Sequence, residues 1–221
     1  RPFIFMSTYK VYGDNPNKLN IIEKVTRWEL KINDKFYKGI DENFSVDNCI
    51  HSFMGVSKSY ADLIVQEYGK NIGLKTVAFR AGCITGPNHS GAKLHGFLSY
   101  LVKICLSKKK YSIIGYKGKQ VRDNIHSLDL VNCFWHFFKN PKKGKIYNIG
   151  GGRYSNCSIL EALDLVEKEK KIMIKRKYVS ENRIGDHIWY ISNNNRFKRD
   201  YPGWKQKYTN KKIILELIDK F

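Results

Sequence analysis

The strongest constraint on this chain is an alternation of short apolar runs with amphipathic helical stretches along most of its length. Pro2 to Met6 is apolar and ends in Ser7-Thr8, as in a buried parallel strand whose end carries polar side chains. Gly13 to Asn48 is irregular, with a strong turn at Asp14-Asn15-Pro16-Asn17. Ser57 to Lys70 reads as a helix with Ala61, Ile64, Val65 and Tyr68 on one face; Gly73 stops it and Lys75 to Phe79 reads as the next strand. Leu94 to Leu106 is the cleanest helix, since Leu94, Phe97, Leu98, Leu101, Val102 and Cys105 share one stripe. Tyr111 to Ile114 reads as a strand, and Ser127 suits the cap of a helix from Leu128 to Lys139, with Pro141 just beyond. Lys145 to Ile149 follows as a strand, and Ser158 with Glu161 forms a capping box for a helix to about Lys170. Ile172 to Val179 suits a further strand, and Thr209 suits the cap of the last helix. Strands and helices in this order predict an α/β fold with a mostly parallel sheet.

Composition narrows the function. With 40 Lys and Arg against 20 Asp and Glu, the formal charge is +20, which admits a polyanionic partner. The lysines are spread along the chain, however, and Lys108-Lys109-Lys110 sits at a helix end, where cations are favoured. No recognised nucleic-acid module or dense basic block occurs, so compositional drift plus a diphosphate ligand is the preferred reading over nucleic acid. The 5 cysteines show no CxxC spacing, which disfavours a disulfide framework or a metal site and fits a reducing, cytoplasmic setting. No apolar run is long enough for a membrane helix, and the first residues do not resemble a signal peptide.

Several motifs carry chemistry. Ser7-Thr8-Tyr9-Lys10-Val11-Tyr12-Gly13 puts hydroxyls at a strand end, where open α/β sheets bind ligands. His51-Ser52-Phe53-Met54-Gly55-Val56-Ser57-Lys58 leads into a helix, and Phe79-Arg80-Ala81-Gly82-Cys83-Ile84-Thr85-Gly86-Pro87-Asn88 is a strand followed by a glycine-broken loop. Gly115-Tyr116-Lys117-Gly118-Lys119-Gln120-Val121-Arg122-Asp123 and Arg183-Ile184-Gly185-Asp186 each carry an arginine. A guanidinium can meet phosphate oxygens two at a time.

Together these strings resemble the extended short-chain dehydrogenase/reductases of the NAD-dependent epimerase/dehydratase type. Val11-Tyr12-Gly13-Asp14-Asn15-Pro16-Asn17, Thr85-Gly86-Pro87-Asn88-His89-Ser90-Gly91 and Leu94-His95-Gly96-Phe97 narrow the likeness to the CDP-tyvelose (CDP-paratose) 2-epimerase subgroup. The resemblance implies the C-terminal part of a Rossmann-type doubly wound parallel sheet plus a small mixed α/β substrate-binding lobe. Residues 1–80 would be the remaining Rossmann core, 119–150 its return segment, and 81–118 with 151–221 the lobe.

The implied activity is NAD-dependent C2 epimerisation of a CDP-linked or other nucleotide-linked hexose by a homo-oligomer. A non-catalytic nucleotide-sugar binder and a sugar-nucleotide dehydratase stand as alternatives. Thr8 and Lys58 would be catalytic, and Thr8, Lys58, Arg80, Gly82 and Cys83 would contact NAD. Asn88, His89, His95, Gly96, Arg122, Arg183 and Asp186 would contact the substrate.

Two departures from the family pattern stand out. Met54 occupies the place of the tyrosine in Tyr-x-x-x-Lys, and a thioether transfers no proton. Tyr9, Tyr12 and Tyr60 are near in sequence, and spacing alone does not choose a substitute. The Gly-x-Gly-x-x-Gly turn that seats a dinucleotide pyrophosphate does not occur in these 221 residues. By resemblance the chain begins near the family's fifth strand, so the first strand should present an unpaired apolar edge.

Overall fold

The computed structural model describes residues 1–92, 96–181 and 185–221. In chain order its elements are β1 (Phe3–Thr8), β2 (Ile21–Glu23), β3 (Trp28–Leu30), α1 (Phe53–Lys70), β4 (Thr76–Ala81), β5 (Cys83–Thr85), α2 (Phe97–Leu106), β6 (Tyr111–Ile114), β7 (Val121–His126), α3 (Ser127–Lys139) and β8 (Lys145–Ile149). They continue with β9 (Asn156–Ser158), α4 (Ile159–Lys170), β10 (Arg176–Val179), β11 (Trp189–Tyr190), α5 (Asn195–Asp200) and α6 (Asn210–Lys220). The fold is α/β with largely parallel strand pairing, as the alternation predicts, and of the Rossmann type, as the resemblance implies.

A parallel sheet of order β1-β4-β8 forms the first layer, with Phe3 opposite Thr76 and Val77 opposite Lys145. Every residue of β4 is buried, because helices cover both of its faces. On one face Val77, Phe79 and Ala81 pack with Leu130, Cys133 and Phe137 of α3 and with Phe197, Tyr201 and Trp204. On the other, Thr76 donates to the Val65 carbonyl of α1 at 2.8 Å, and Arg80 pairs with Asp62 of the same helix. This alternation is the period-two signature of a strand buried on both sides.

β7 is the hinge between the layers. It pairs in parallel with β5 and β11 and antiparallel with β9, and all six of its residues are buried. Beyond it α2, α4 and α6 enclose a second core of Leu101, Val102, Ile113, Leu163, Val166, Ile214 and Leu217, with β6 and β10 paired in parallel at its edge. A bidentate pairing of Arg27 with Glu161, at 2.7 and 2.8 Å, ties the β2–β3 hairpin to the start of α4. Among the described residues no helix is long and apolar enough to cross a membrane.

Local expectations differ in places, each for a physical reason. α1 starts at Phe53 rather than Ser57, because the Ser52 hydroxyl accepts from Gly55 N at 3.1 Å and caps the helix earlier. α3 is capped by the His126 ring, which accepts from Leu128 N, and Ser127 is its first helical residue. α2 begins at Phe97, and Leu94 lies outside the described residues. β10 begins only at Arg176: Ile174 N is held by the Glu167 carboxylate at 2.8 Å, so the chain before it packs on α4. The capping box of Ser158 and Glu161 and the Thr209 cap form as predicted.

The expected open edge is present. Among the described residues β1 pairs with β4 alone, and Phe3 is 54% exposed. On α1, Phe53 is 98% exposed, with Val56, Tyr60 and Leu63 also in solvent. On α3 the stripe Leu128, Val131, Trp135 and Phe138 is exposed as well. Unpaired strand groups flanked by apolar helix faces favour association. Residues 1–221 expressed alone should therefore elute and scatter light as species above 25.8 kDa; a sharp, reversible, monomeric melt would contradict this. The buried Arg80–Asp62 pair gives a second test: Asp62→Ala should cost about 3–5 kcal/mol in urea unfolding, because it strands a buried guanidinium.

Candidate functional site

A cleft of about 280 Å³ opens between the carboxyl ends of the sheet strands and the second layer. Its sheet side is Thr8 at the end of β1, Tyr9 and Lys10 just after it, Met54 in the first turn of α1, and Cys83 of β5. The far side is Gly96, Phe97 and Tyr100 at the start of α2, Tyr111, Ser112 and Ile114 of β6, and Ile159 at the start of α4. Gln120 and Arg122 from β7, with Asp186, complete the wall. One end is rich in hydroxyls and cations and the other in aromatic and aliphatic surface.

At the polar end, the Thr8 hydroxyl accepts from Lys10 N at 3.2 Å and caps the short helical turn that follows the strand. Met54 lines the cleft half-exposed, and Lys58 lies one helical turn further along α1. The Lys58 ammonium donates to the Met6 carbonyl at 2.8 Å and sits 4.9 Å from the centre of the Phe5 ring, which holds it against β1. Of the three tyrosines that the sequence left open, Tyr9 lines the cleft. Tyr12 is buried and donates to Asn148 at 2.7 Å, and Tyr60 is exposed on α1. The Tyr9 ring is stacked on Tyr190 at 4.6 Å. Burial, then the neighbouring Cys83, pushes the Tyr9 phenol well above its ordinary value, so Tyr9 stays protonated at neutral pH and can offer a hydrogen bond. Burial likewise pushes the Cys83 thiol up to about 11, which keeps it neutral.

Charge concentrates around Arg122. The guanidinium is 6% exposed and donates to the Val121 carbonyl at 2.8 Å and to the Asp186 carboxylate. The Lys10 ammonium lies 3.7 Å from the same carboxylate. Burial acts to raise the Asp186 pKa, but Arg122 and Lys10 outweigh it and hold the carboxyl down to about 2. Asp186 is thus an ionised partner of Arg122, and a carboxylate so placed would repel the phosphate oxygens it was expected to help bind.

Thr8, Met54, Cys83, Gly96, Arg122 and Asp186 thus meet in one cleft, while other expected contacts lie elsewhere. Arg80, expected at the cofactor, is buried and donates to both Asp62 oxygens at 3.0 Å and to the Tyr12 hydroxyl, a pairing that holds α1 on the sheet. Gly82 is off the lining too: a Cβ there would come within 2.4 Å of the Asp123 carboxylate, so glycine serves packing. Asn88 is exposed and His89 lies 3.4 Å from the Ser99 hydroxyl; neither lines the cleft. His95 and Arg183 lie outside the described residues. Sequence reasoning missed Lys10, Phe97, Tyr100, Tyr111, Ser112, Ile114, Gln120 and Ile159. Most of these read as core residues, because the first turn of a helix keeps the apolar period even where it borders a cleft.

Residues 45–150 match the profile described as the NAD dependent epimerase/dehydratase family. A CDP-paratose 2-epimerase from Salmonella typhi is 34% identical over 172 residues, covering 74% of this chain and 48% of that protein. A dTDP-glucose 4,6-dehydratase from Escherichia coli is 25% identical over 225 residues, 98% of this chain and 57% of that one. The dTDP-glucose 4,6-dehydratase structure from Bacillus anthracis, in complex with NAD, superposes with a TM-score of 0.76 at 23% identity, covering 99% of this chain and 61% of that one. The UDP-glucose 4-epimerase complex with NAD from Thermus thermophilus gives 0.74 at 18%, covering 98% and 62%. At these identities the solved structures speak for the fold alone, and the chain spans about half the length of the curated relatives it matches. Residues 45–150 thus form a domain of the NAD dependent epimerase/dehydratase family.

Proposed function

We propose that this chain forms the substrate-binding and sugar-facing part of an NAD-dependent nucleotide-sugar epimerase that inverts C2 of a CDP-linked deoxyhexose. The observation that carries this reading is the single cleft joining Thr8 at a strand end to Arg122. The 34% identity to a CDP-paratose 2-epimerase supports the choice of base and sugar.

The residues present fit the nicotinamide end of NAD. Lys58 has an ammonium with further protons to give beside the strand end, and Thr8 and Cys83 offer small neutral groups. When bound, NAD takes a hydride from a sugar carbon and returns one. The chain's own residues bind and orient: Thr8 holds the reacting sugar oxygen, the Tyr9 phenol donates a hydrogen bond, and Arg122 with Lys10 balances the diphosphate. Phe97, Tyr100 and Tyr111 supply the surface for the base. Arg183, by resemblance, is a second diphosphate ligand.

Removing a hydroxyl, as a dehydratase does, asks for an acid that can protonate the leaving oxygen. The only carboxyl among the described lining residues is Asp186, ionised and committed to Arg122. That favours epimerisation over dehydration. Met54 favours the second reading, a binder without turnover. The exposed face of α1 supports a homo-oligomer, and five free thiols suit a cytoplasmic setting.

With NAD and a CDP-linked deoxyhexose supplied, Met54→Tyr should raise the rate of C2 inversion about a hundredfold, read from the sugar proton signals by NMR. An unchanged or lower rate would overturn the ordinary tyrosine mechanism for this site. CDP-hexose binding with no inversion in either protein would establish the binder.

A further inference from the structure

The arginine assigned to the diphosphate does not face an open pocket. Its Nη2 donates to Asp186 Oδ1, and the Lys10 ammonium flanks the same oxygen while donating to the Gly185 carbonyl at 2.6 Å. The carboxylate is the outer member of the pair, with its side chain 20% exposed against 7% for the guanidinium. A separate set of bonds fixes the backbone beneath it. Asn17 donates to the Asp186 carbonyl at 2.9 Å and accepts from Ile188 N at 2.7 Å. The buried His187 ring lies 2.6 Å from the Gly13 carbonyl. Asp186 is therefore an anion on a fixed backbone, held against two cations and more open to the cleft than the guanidinium it pairs with.

We propose that Asp186 is an internal counter-anion: a latch that occupies Arg122 and Lys10 until a nucleoside diphosphate displaces it. The proposal rests on the diphosphate role given above to Arg122. Two cations and one anion leave the cluster a single net positive charge. A ligand must therefore bring enough negative charge to outcompete a carboxylate that is already in place. A diphosphate does this with two phosphates that can meet both cations at once, whereas a monophosphate must serve both with one. The latch thus selects for the diphosphate and weakens retention of the nucleotide. It also keeps the buried guanidinium paired when the cleft is empty, so that the chain carries no bare buried charge.

The test uses the full chain, with CDP and CMP as probes in calorimetric titrations and a thermal melt of each variant as control. Asp186→Asn keeps the shape and removes the charge. It should bind CDP about tenfold more tightly than the parent and bind CMP with a larger gain, narrowing the preference between them. Asp186→Glu, which keeps the charge, should stay within about threefold of the parent. Asp186→Ser gives the same direction as Asn and serves should that variant not fold. Equal or weaker CDP binding by the Asn and Ser variants, beside a parent that binds, would overturn the latch and leave the epimerase reading standing. No CDP binding by the parent or any variant would overturn the nucleotide-sugar reading itself, and the latch with it. A parent that binds nothing beside an Asn variant that binds would be the latch in its strongest form.

Discussion

The buried pairing of Arg80 with Asp62 is the interaction on which the geometry of the cleft depends. Asp62 receives Arg80 through both oxygens, accepts from Ser7 at 2.6 Å and from Gln66 at 2.8 Å, and so has its charge fully answered inside the protein. Arg80 passes the connection to Tyr12, Tyr12 to Asn148, and Asn148 to the Ile40 carbonyl at 2.8 Å. Five segments that are distant in sequence are thereby fixed in one register. Buried charges tolerate little displacement, because each ångström of separation leaves a desolvated ion less compensated. That stiffness sets the start of α1 beside the end of β1, which is why position 54 and Thr8 share a wall.

β7 performs the complementary task between the layers. Arg122 turns into the cleft, and its neighbour Asp123 turns into the core, where it accepts from Gly152 N and Ser192 N at 3.0 Å each. A Cβ at Gly150 would meet that carboxylate at 2.0 Å, so the glycine after β8 is required by the approach of Asp123. Burial raises the Asp123 pKa, and the two backbone donors act against it. Strand alternation thus couples a structural acid to a cleft-facing cation in adjacent residues.

Much of the fold was legible because it follows from local rules. The strand at Lys145 to Ile149 and the capping box at Ser158 are found where the residues put them, since both are decided within a few positions. The misjudged boundaries were decided at a distance or by an unusual donor, as with the His126 ring replacing Ser127 as a cap. The site was half legible. Thr8, Met54, Cys83 and Arg122 sit at strand or helix ends that motif spacing could place. The role of Arg80 was not legible, because its partner Asp62 lies 18 residues earlier on a helix face that the apolar pattern treats as a neutral position. The relation of Asp186 to Arg122 spans 64 residues and no local pattern contains it.

The departure at Met54 acquires a physical meaning in this setting. A lysine beside a tyrosine lowers the phenol's pKa by placing a cation next to the phenolate. With a thioether at position 54, Lys58 has no phenol there to act on, and its ammonium is held by the Met6 carbonyl and the Phe5 ring. Tyr9 cannot inherit the role unaltered: burial drives its pKa up, so the phenol keeps its proton and no phenolate is at hand to take one from the sugar. One end of the cleft gathers an arginine, an ammonium and a carboxylate, while the other sets the Thr8 hydroxyl near the Met54 thioether. On the proposed function, binding and proton transfer fall to separate parts of the cleft, and position 54 belongs to the second.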